Sequence, residues 1–530
     1  MSRWARGSML AVPLLFLGVF FVYPVLTILG RGLWPGGDLD LSPLREVVGD
    51  PSMRDIAWFT VWQAALSTLL TLAIGIPAAY ALTQFRFRGA ALVRALVVVP
   101  FVLPTLVVGS AFLAVGVEPS LGAILVAHVF FNYAVVVRTV GGIWAHLDRR
   151  QEDAARLLGA SRLRTFASVT LPALRPAIAA AGAIVFLFTF ASFGVVLVLG
   201  GPTRSTLETE IYRQTAQLLD LRTAAALSII QLVAVLGLLM VTERLQGRRH
   251  VALRLQASRD TVRAPRSPGE RVFLWANLAI AALLLGGPIA VLVARAFETP
   301  HGVGLEHFRA LGTLHATSVL FVPPEQAIWN SLSYAAAAAA LALAVGGLAA
   351  FAIVRTRRAG AIDAALTLPL GVSAVTIGFG FLIALDDPPL DLRTEWILVP
   401  IAQALVAIPF VVRLTTPVLR SIDPRLREAA AMLGAPPRRV WREVDLPIAA
   451  RALAIAGGFA FAIALGEFGA TVFLARPDRP TLPVVIYRLL GQPGPSNFGA
   501  AMAASTILLV LAGLSVLAVD RARVADVGTF

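Results

Sequence analysis

The stretch Asp153–Pro172, DAARLLGASRLRTFASVTLP, decides the fold, because it returns at Glu428–Pro447 as EAAAMLGAPPRRVWREVDLP. Each copy opens on an acid and two alanines and reaches a glycine six residues on, Gly159 or Gly434. Each ends in Val-x-Leu-Pro, with Pro172 and Pro447 thirteen residues past the glycines. This spacing predicts a short helix, a glycine turn, a second basic helix, and a proline that opens the next long helix. Neither copy is apolar enough to cross a membrane, yet long apolar segments flank both. Ala154-Ala155 and Ala429-Ala430 carry small side chains, which let another protein's surface approach the first helix closely. The arginines after each glycine place the unit on the cytoplasmic side of a membrane.

The composition around these blocks is that of a membrane protein. The 530 residues are 58% hydrophobic and 14% charged, with a mean hydropathy of +0.79, outside the range of soluble domains. There is no cysteine, which excludes disulfides and thiolate metal sites. There is no lysine either, and all 45 basic residues are arginine. A phosphate-binding Gly-Lys-Ser/Thr loop is therefore excluded, and so is Schiff-base chemistry. The net charge of +14 raises nucleic acid as a partner. The arginines, however, sit in short loops beside apolar runs, so we read the charge as membrane topology and expect no nucleic-acid partner. No cofactor is implied. The segment Met1–Gly7, with Arg3 and Arg6, precedes an apolar run too long for a signal-peptide core and is read as the start of an uncleaved span.

A helix needs about 20 apolar residues to cross a bilayer. By that rule the sequence predicts twelve spans, near 8–30, 58–82, 92–117, 121–144, 177–199, 223–241, 272–296, 327–354, 362–385, 396–418, 450–474 and 500–519. With the N-terminus in the cytoplasm, the cytoplasmic loops hold about three times as many arginines as the external ones. The opposite orientation would invert that bias. Both termini are therefore expected in the cytoplasm. Residues 242–271 are polar, rich in arginine, and contain Pro265 and Pro268. They read as a cytoplasmic linker between a first half (1–241) and a second half (272–530).

The halves repeat each other. Trp58, Tyr80 and Gly89 match Trp329, Phe351 and Gly360 at an offset of 271. Pro100, Gly109 and Phe112 match Pro369, Gly378 and Phe381 at 269. From Ala127 the offset is 275 and stays there for almost ninety residues, carrying Arg138 onto Arg413 and Phe193-Gly194 onto Phe468-Gly469. Thr206-Leu207 falls on Thr481-Leu482, and Ile211-Tyr212-Arg213 on Ile486-Tyr487-Arg488. Six spans per half is an even number, so both halves enter the membrane in the same direction. The fold expected is all-α, two parallel six-span repeats about an axis normal to the membrane, with a pathway at their interface.

Several residues stand out as candidates. Glu467, in ALGEFGA, is an ionisable group within the eleventh span, and such groups face a cavity or a partner. Its repeat mate is Ser192; the two are read as opposite walls of the translocation path, Glu467 favouring a positive substrate and Ser192 without charge, with a structural carboxyl that locks helices together as the alternative. Gly194 and Gly469 follow and permit close helix approach or local unwinding. His128 and Asn132, one turn apart in the fourth span, either touch the substrate or bond between helices; helix bonding is the preferred reading. Arg138 and Arg413 read as anchors at span ends or as braces to the repeated loops. His301, His307 and His315 share an external loop without metal-ligand spacing. The external stretches Gly200–Gln214 and Arg476–Leu490 each predict a turn and a short amphipathic helix, as an outer gate or a landing surface. The acidic stretch Asp386–Glu395 also falls outside. No nucleophile–base pair or metal cluster suggests catalysis.

The two repeated blocks resemble the EAA loops of ABC-importer permeases, whose helices dock into a cytoplasmic ATPase. The whole chain resembles the fused, two-half permeases of bacterial type I importers. Asp153 stands where that family usually has glutamate, with Glu152 beside it as an alternative acid. The resemblance assigns ATPase coupling to Asp153, Ala154, Ala155, Gly159, Glu428, Ala429, Ala430 and Gly434. It implies two copies of a separate ATPase and one extracytoplasmic binding protein as partners, and the bacterial cytoplasmic membrane as the location. AHVFFN (Ala127–Asn132), FASFG (Phe190–Gly194), Leu199–Gln214 and Arg479–Gly491 look most like the thiamine permeases, with the iron(III) permeases as the alternative. A secondary transporter of the same span count is the alternative from another class; the duplicated coupling loop argues against it.

Overall fold

The computed structural model describes residues 3–34, 37–247, 262–313, 320–356, 368–386 and 390–524, together with 362–363 and 365–366. Among these residues, ten helices are long and apolar enough to cross a membrane, and two shorter apolar helices, Thr105–Ala114 and Ala374–Ala384, accompany them. The only strands described are a two-residue hairpin, Glu298–Thr299 with Gly302–Val303. The chain is thus the all-α membrane protein that its hydropathy predicts.

The third and ninth spans differ from a straight crossing. The third is helix at Ala90–Val102, breaks at Leu103-Pro104, and resumes at Thr105–Ala114. Pro104 has no N–H to continue the ladder and forces its predecessor into an extended conformation. The ninth breaks at the matching place without that proline: the mate of Pro104 is Ser373, whose hydroxyl caps Ala374–Ala384 after a short 3₁₀ turn at Leu368–Gly371. Residues 357–361, 364 and 367 at its start lie outside the described residues.

Proline shapes four other spans in one way. Single π-turns occur at Gly18–Val22, Phe166–Thr170, Ala282–Gly286 and Trp441–Asp445. Each lies just before a proline: Pro24, Pro172, Pro288 or Pro447. A proline ring crowds the carbonyl four residues back and offers it no donor, and a one-residue bulge relieves both problems.

The halves repeat in packing as well as in sequence. In each, the second span crosses the fourth at a glycine. A Cβ on Gly75 would lie 2.8 Å from Val136, and one on its mate Gly346 would lie 3.0 Å from that valine's mate, Val411. Each half also lends its first span to the other. Phe20 meets Phe381 at 6.3 Å, and Pro24 lies where a Cβ on Gly380 would be 3.1 Å away. In return Phe273 meets Tyr80 at 5.8 Å, and Arg295 Nε donates to the Ala114 carbonyl. The halves are therefore interlocked rather than merely adjacent.

The connection between halves is more structured at its ends than a plain linker. The last helix of the first half, Leu221–Gly247, runs six residues into it. Residues 248–261, including Arg248 and Arg249, lie outside the described residues. At the far end Arg263 exchanges backbone hydrogen bonds with Gln84 and Arg86 and grips both oxygens of Glu270 at 2.7 Å. Its guanidinium lies 5.3 Å from the Phe85 ring. Ser267 caps the first helix of the second half, which therefore starts at Pro268.

Candidate functional site

The repeated loops fold as their spacing predicts. The first is a helix Arg149–Leu157, a glycine, and a short helix Arg162–Thr165 running through its π-turn into Leu171–Phe190. The second is Pro424–Met432, a glycine, and Pro437–Val440 leading into Leu446–Gly466. Asp148 and Asp423 cap the first helices by accepting from the amides of Arg150 and Arg425. Gly159 and Gly434 end them with φ of 85° and 81°. The amides beyond, Ala160 and Ala435, return to the carbonyls of Ala155 and Ala430. This closure needs a left-handed residue, and only glycine takes that shape without strain. A Cβ at either glycine would meet nothing within 4 Å, so backbone angle, not crowding, requires it.

What these helices leave uncovered is informative. Leu157 and Leu158 are each 89% exposed; Met432 is 90% and Leu433 89% exposed. Leu157 and Leu158 have Met432 and Leu433 as repeat mates, so the same apolar tip stands free twice. Burying one such side chain is worth about 1.5–3 kcal/mol, which makes each tip a surface that gains by meeting a partner. Asp153, Ala154, Glu428 and Ala429 are exposed beside them, while Ala155 and Ala430 are half-buried.

The structure separates Glu152 from Asp153. The Thr170 hydroxyl donates to Glu152 at 2.6 Å, tying the loop helix to the base of the next span. In the second half the same two positions hold Arg427 and Asp445, paired at 2.7 Å. Glu152 is thus used internally, and Asp153 keeps the outward position that Glu428 occupies. Ring contacts extend the brace to the second span: Tyr80–Trp144–Phe166 in one half and Phe351–Trp441 in the other. Arg138 and Arg413 are exposed.

At the other end of the membrane, the fifth and eleventh spans both break. Leu171–Phe190 stops before Ser192 and restarts at Gly194–Leu199; Leu446–Gly466 stops before Glu467 and restarts at Thr471–Leu474. Gly194 faces Thr105 so closely that a Cβ would overlap the threonine hydroxyl. Gly469 faces that residue's repeat mate Ala374, where a Cβ would lie 2.9 Å away. Both readings of these glycines, unwinding and close approach, therefore apply together.

The breaks are held differently. Ser192 bonds His128 Nε2 at 2.9 Å, and His128 Nδ1 bonds Ser67 at 2.9 Å, so one buried imidazole joins three segments. Asn132 donates to the His128 carbonyl, and its Oδ1 is buried without a partner among the described residues. Glu467 instead turns back on its own chain. Its carboxylate accepts from the Ala470 and Thr471 amides at 2.7 and 3.1 Å, and from the Thr471 hydroxyl. It is the cap of the restarted helix.

The residue after each of these meets its repeat mate. Phe193 and Phe468 stack with centroids 5.4 Å apart and planes 18° apart. Tyr212 and Tyr487, also mates, meet edge to face at 6.2 Å. Phe193 touches Tyr212 and Phe468 touches Tyr487, with Phe473 on Tyr212. A residue that touches its own mate lies on the axis relating the repeats, so these four rings mark that axis. The tyrosines come from helices Leu207–Ala216 and Leu482–Leu490, which the sequence places outside. The helices are there, but their Leu207, Ile211, Leu482 and Ile486 are buried. Thr60 and its mate Ser331 accept from the Leu207 and Leu482 amides, fixing both helices to the second spans.

Sequence reasoning passes over Glu208 on the first of these helices. It is buried, with Gln231 on one oxygen and Ser373, from the second half, donating to the other at 2.6 Å. Its burial pushes the carboxyl up to about 8, while these two donors pull it down. Its signal is two acids in LETEIY, at the register that repeats as LPVVIY. His307 donates to the Glu298 carbonyl and His315 lies outside the described residues. Among the described residues there is no cluster fit to hold a metal.

Comparison with known proteins agrees with this architecture. Residues 71–248 match the family described as "binding-protein-dependent transport system inner membrane component". The chain is 30% identical to the thiamine transport system permease protein ThiP of Brucella abortus (strain 2308), over 89% of this chain and 88% of that protein. It is 28% identical to the ThiP of Escherichia coli (strain K12), over 87% and 88%. A probable ABC transporter permease of Sinorhizobium fredii is 24% identical over 95% of this chain and 94% of its own length. Taken with the duplicated glycine-capped loops and the paired six-span halves, these matches show that the chain belongs to the binding-protein-dependent permeases, the membrane subunits of ABC importers.

Proposed function

We propose that this permease imports thiamine or a closely similar organic cation. It would receive the cation from an extracytoplasmic binding protein and be driven by two copies of a cytoplasmic ATPase. The observation that carries the coupling part is the pair of exposed apolar tips, Leu157-Leu158 and Met432-Leu433, beside Asp153 and Glu428. Each tip would seat in one ATPase subunit. The braces to Thr170 and Asp445 would pass that subunit's movement into the fifth and eleventh spans. The thiamine part is supported by the transport function for which the Brucella and Escherichia relatives are named. The arginine bias supports an orientation with the coupling loops and both termini in the cytoplasm.

Glu467, Ser192, His128 and Asn132 enter this reading as the framework of the path. They shape the two breaks that carry Phe193 and Phe468 to the axis, and Glu467 keeps its place beside the path as the cap of one break. The test is reconstitution of the permease in vesicles with its ATPase and binding protein. Labelled thiamine should accumulate only when ATP is present on the face bearing the coupling loops. Vesicles that bind the ATPase on that face yet take up no thiamine would remove the substrate assignment and leave the coupling assignment standing.

A further inference from the structure

Glu208 and Tyr212 are four residues apart on one helix and so share a face. Tyr212 lies on the axis with Phe193, Phe468 and Tyr487. Glu208, one turn earlier, reaches Ser373 of the opposite half. Ser373 caps the helix whose first residue, Ala374, packs on Gly469, next to Phe468. The carboxylate and the rings therefore belong to one locality between the halves. Pro483 stands at the mate position of Glu208, so the site has one acid, not two. The neighbouring Glu210 is already engaged by Arg213 and Gln214 on its own helix. Glu208 is met by amide and hydroxyl donors, and among the described residues no arginine pairs with it.

We propose that these four rings and Glu208 form a cation-selecting gate on the axis. The gate is closed by the ring contacts and by the Glu208–Ser373 hydrogen bond. The Phe193–Phe468 and Tyr212–Tyr487 contacts and the hydrogen bond run between the halves, so any separation that opens a path must break them. Opening then frees one Glu208 oxygen and uncovers aromatic faces in the same step. Aromatic faces and a single carboxylate make a site for an organic cation, since a ring attracts positive charge over its face and a carboxylate in a dry setting is stabilised by an opposite charge. The closed gate holds the buried carboxyl with neutral donors; the open gate exposes it to water, where it gives up its proton and meets the passing cation as a carboxylate. This inference rests on the reading of the cargo as cationic. The ring contacts themselves do not depend on it.

Two experiments separate these parts. In the reconstituted importer supplied with thiamine, Glu208→Gln keeps size and hydrogen bonding but removes charge. Uptake should fall by about tenfold, the effect of losing one charge contact worth about 1.4 kcal/mol, and Glu208→Asp should restore part of it. Uptake by Glu208→Gln equal to that of the natural chain overturns the cation site. A positive group, Arg488, stands beside Tyr212. If Arg488→Gln abolishes uptake and Glu208→Gln does not, the gate selects an anion and the proposal fails. Should the natural chain import no thiamine at all, the substrate reading fails and the gate is tested without cargo. The chain has no cysteine, so Phe193→Cys/Phe468→Cys supplies a unique thiol pair. A short bifunctional thiol reagent should link it in the resting importer and abolish stimulation of the ATPase by the binding protein, reversibly on cleavage of the link. Full stimulation with the link in place overturns the gate.

Discussion

The two halves keep one geometry and fill it with different chemistry. At the repeated loops, Glu152 accepts from the Thr170 hydroxyl in the first half, and the same positions hold the Arg427–Asp445 ion pair in the second. At the other end, Ser192 leans on His128 while its mate Glu467 caps its own chain. Near the axis, Glu208 has Pro483 as its counterpart. What stays constant is what sets backbone shape: the left-handed glycines, the prolines after π-turns, and the glycines where spans cross. What varies is how each shape is held, which shows that the repeat preserves positions and leaves the bonds between them free to differ.

The largest effect should come where the halves are most alike. Leucine at Gly434 or at Gly159 must adopt a positive φ, at a cost of about 1–2 kcal/mol, and would deform the helix end that presents the apolar tip. Each substitution should lower uptake by about tenfold or more and weaken co-purification of the ATPase, with the spans still inserted. Intact uptake in one variant alone would break the equivalence of the two loops.

The next effect should divide the halves. Glu467→Ala takes the acceptor from three donors in a buried turn, a loss of about 2–3 kcal/mol. Ser192→Ala removes one hydrogen bond, about 1 kcal/mol. Thermal unfolding of the purified proteins should show the larger drop for Glu467→Ala. Equal drops would mean that the His128 bridge holds its break as firmly as the glutamate holds the other.

A smaller difference should appear at the braces. Arg427→Ala removes a guanidinium from the buried Asp445 carboxylate. The expected loss is about 2 kcal/mol, less than for a fully buried pair because Arg427 is partly exposed. Thr170→Val removes a single bond to a half-buried glutamate and should cost about 1 kcal/mol or less. The same unfolding measurement sharpens the comparison, and a reversed order would show that the ion pair contributes little.

Much of this is legible in the order of residues alone. A fixed offset over almost ninety residues foretells that Val136 and Val411, or Tyr212 and Tyr487, play matching parts. The glycine and proline spacing foretells the helix–glycine–helix shape of both repeated loops. Contacts between mates are not legible, because an offset says that two residues are equivalent, not that they touch. The break at Leu103-Pro104 is hidden by the apolar residues on both sides, which hydropathy reads as one span. Glu467 shows as a costly charge, but its partners are amides three and four residues on, and those depend on an unwinding that composition does not reveal. Glu208 is masked by its setting: two acids at the start of a short helix look like an exposed first turn until the opposite half is folded over them.

The Arg263 clamp has a consequence for assembly. It seats the start of the second half on the second span of the first, within the same chain. Because both halves lie in one chain, the permease always has one copy of each half, in a fixed stoichiometry that separate subunits would reach only by sorting. Two first halves brought together would place two Glu208 carboxylates across the axis, with no Ser373 for either. Joining the halves covalently removes that mispairing, and so lets a chain with inherited two-fold symmetry keep a feature that exists on one side only.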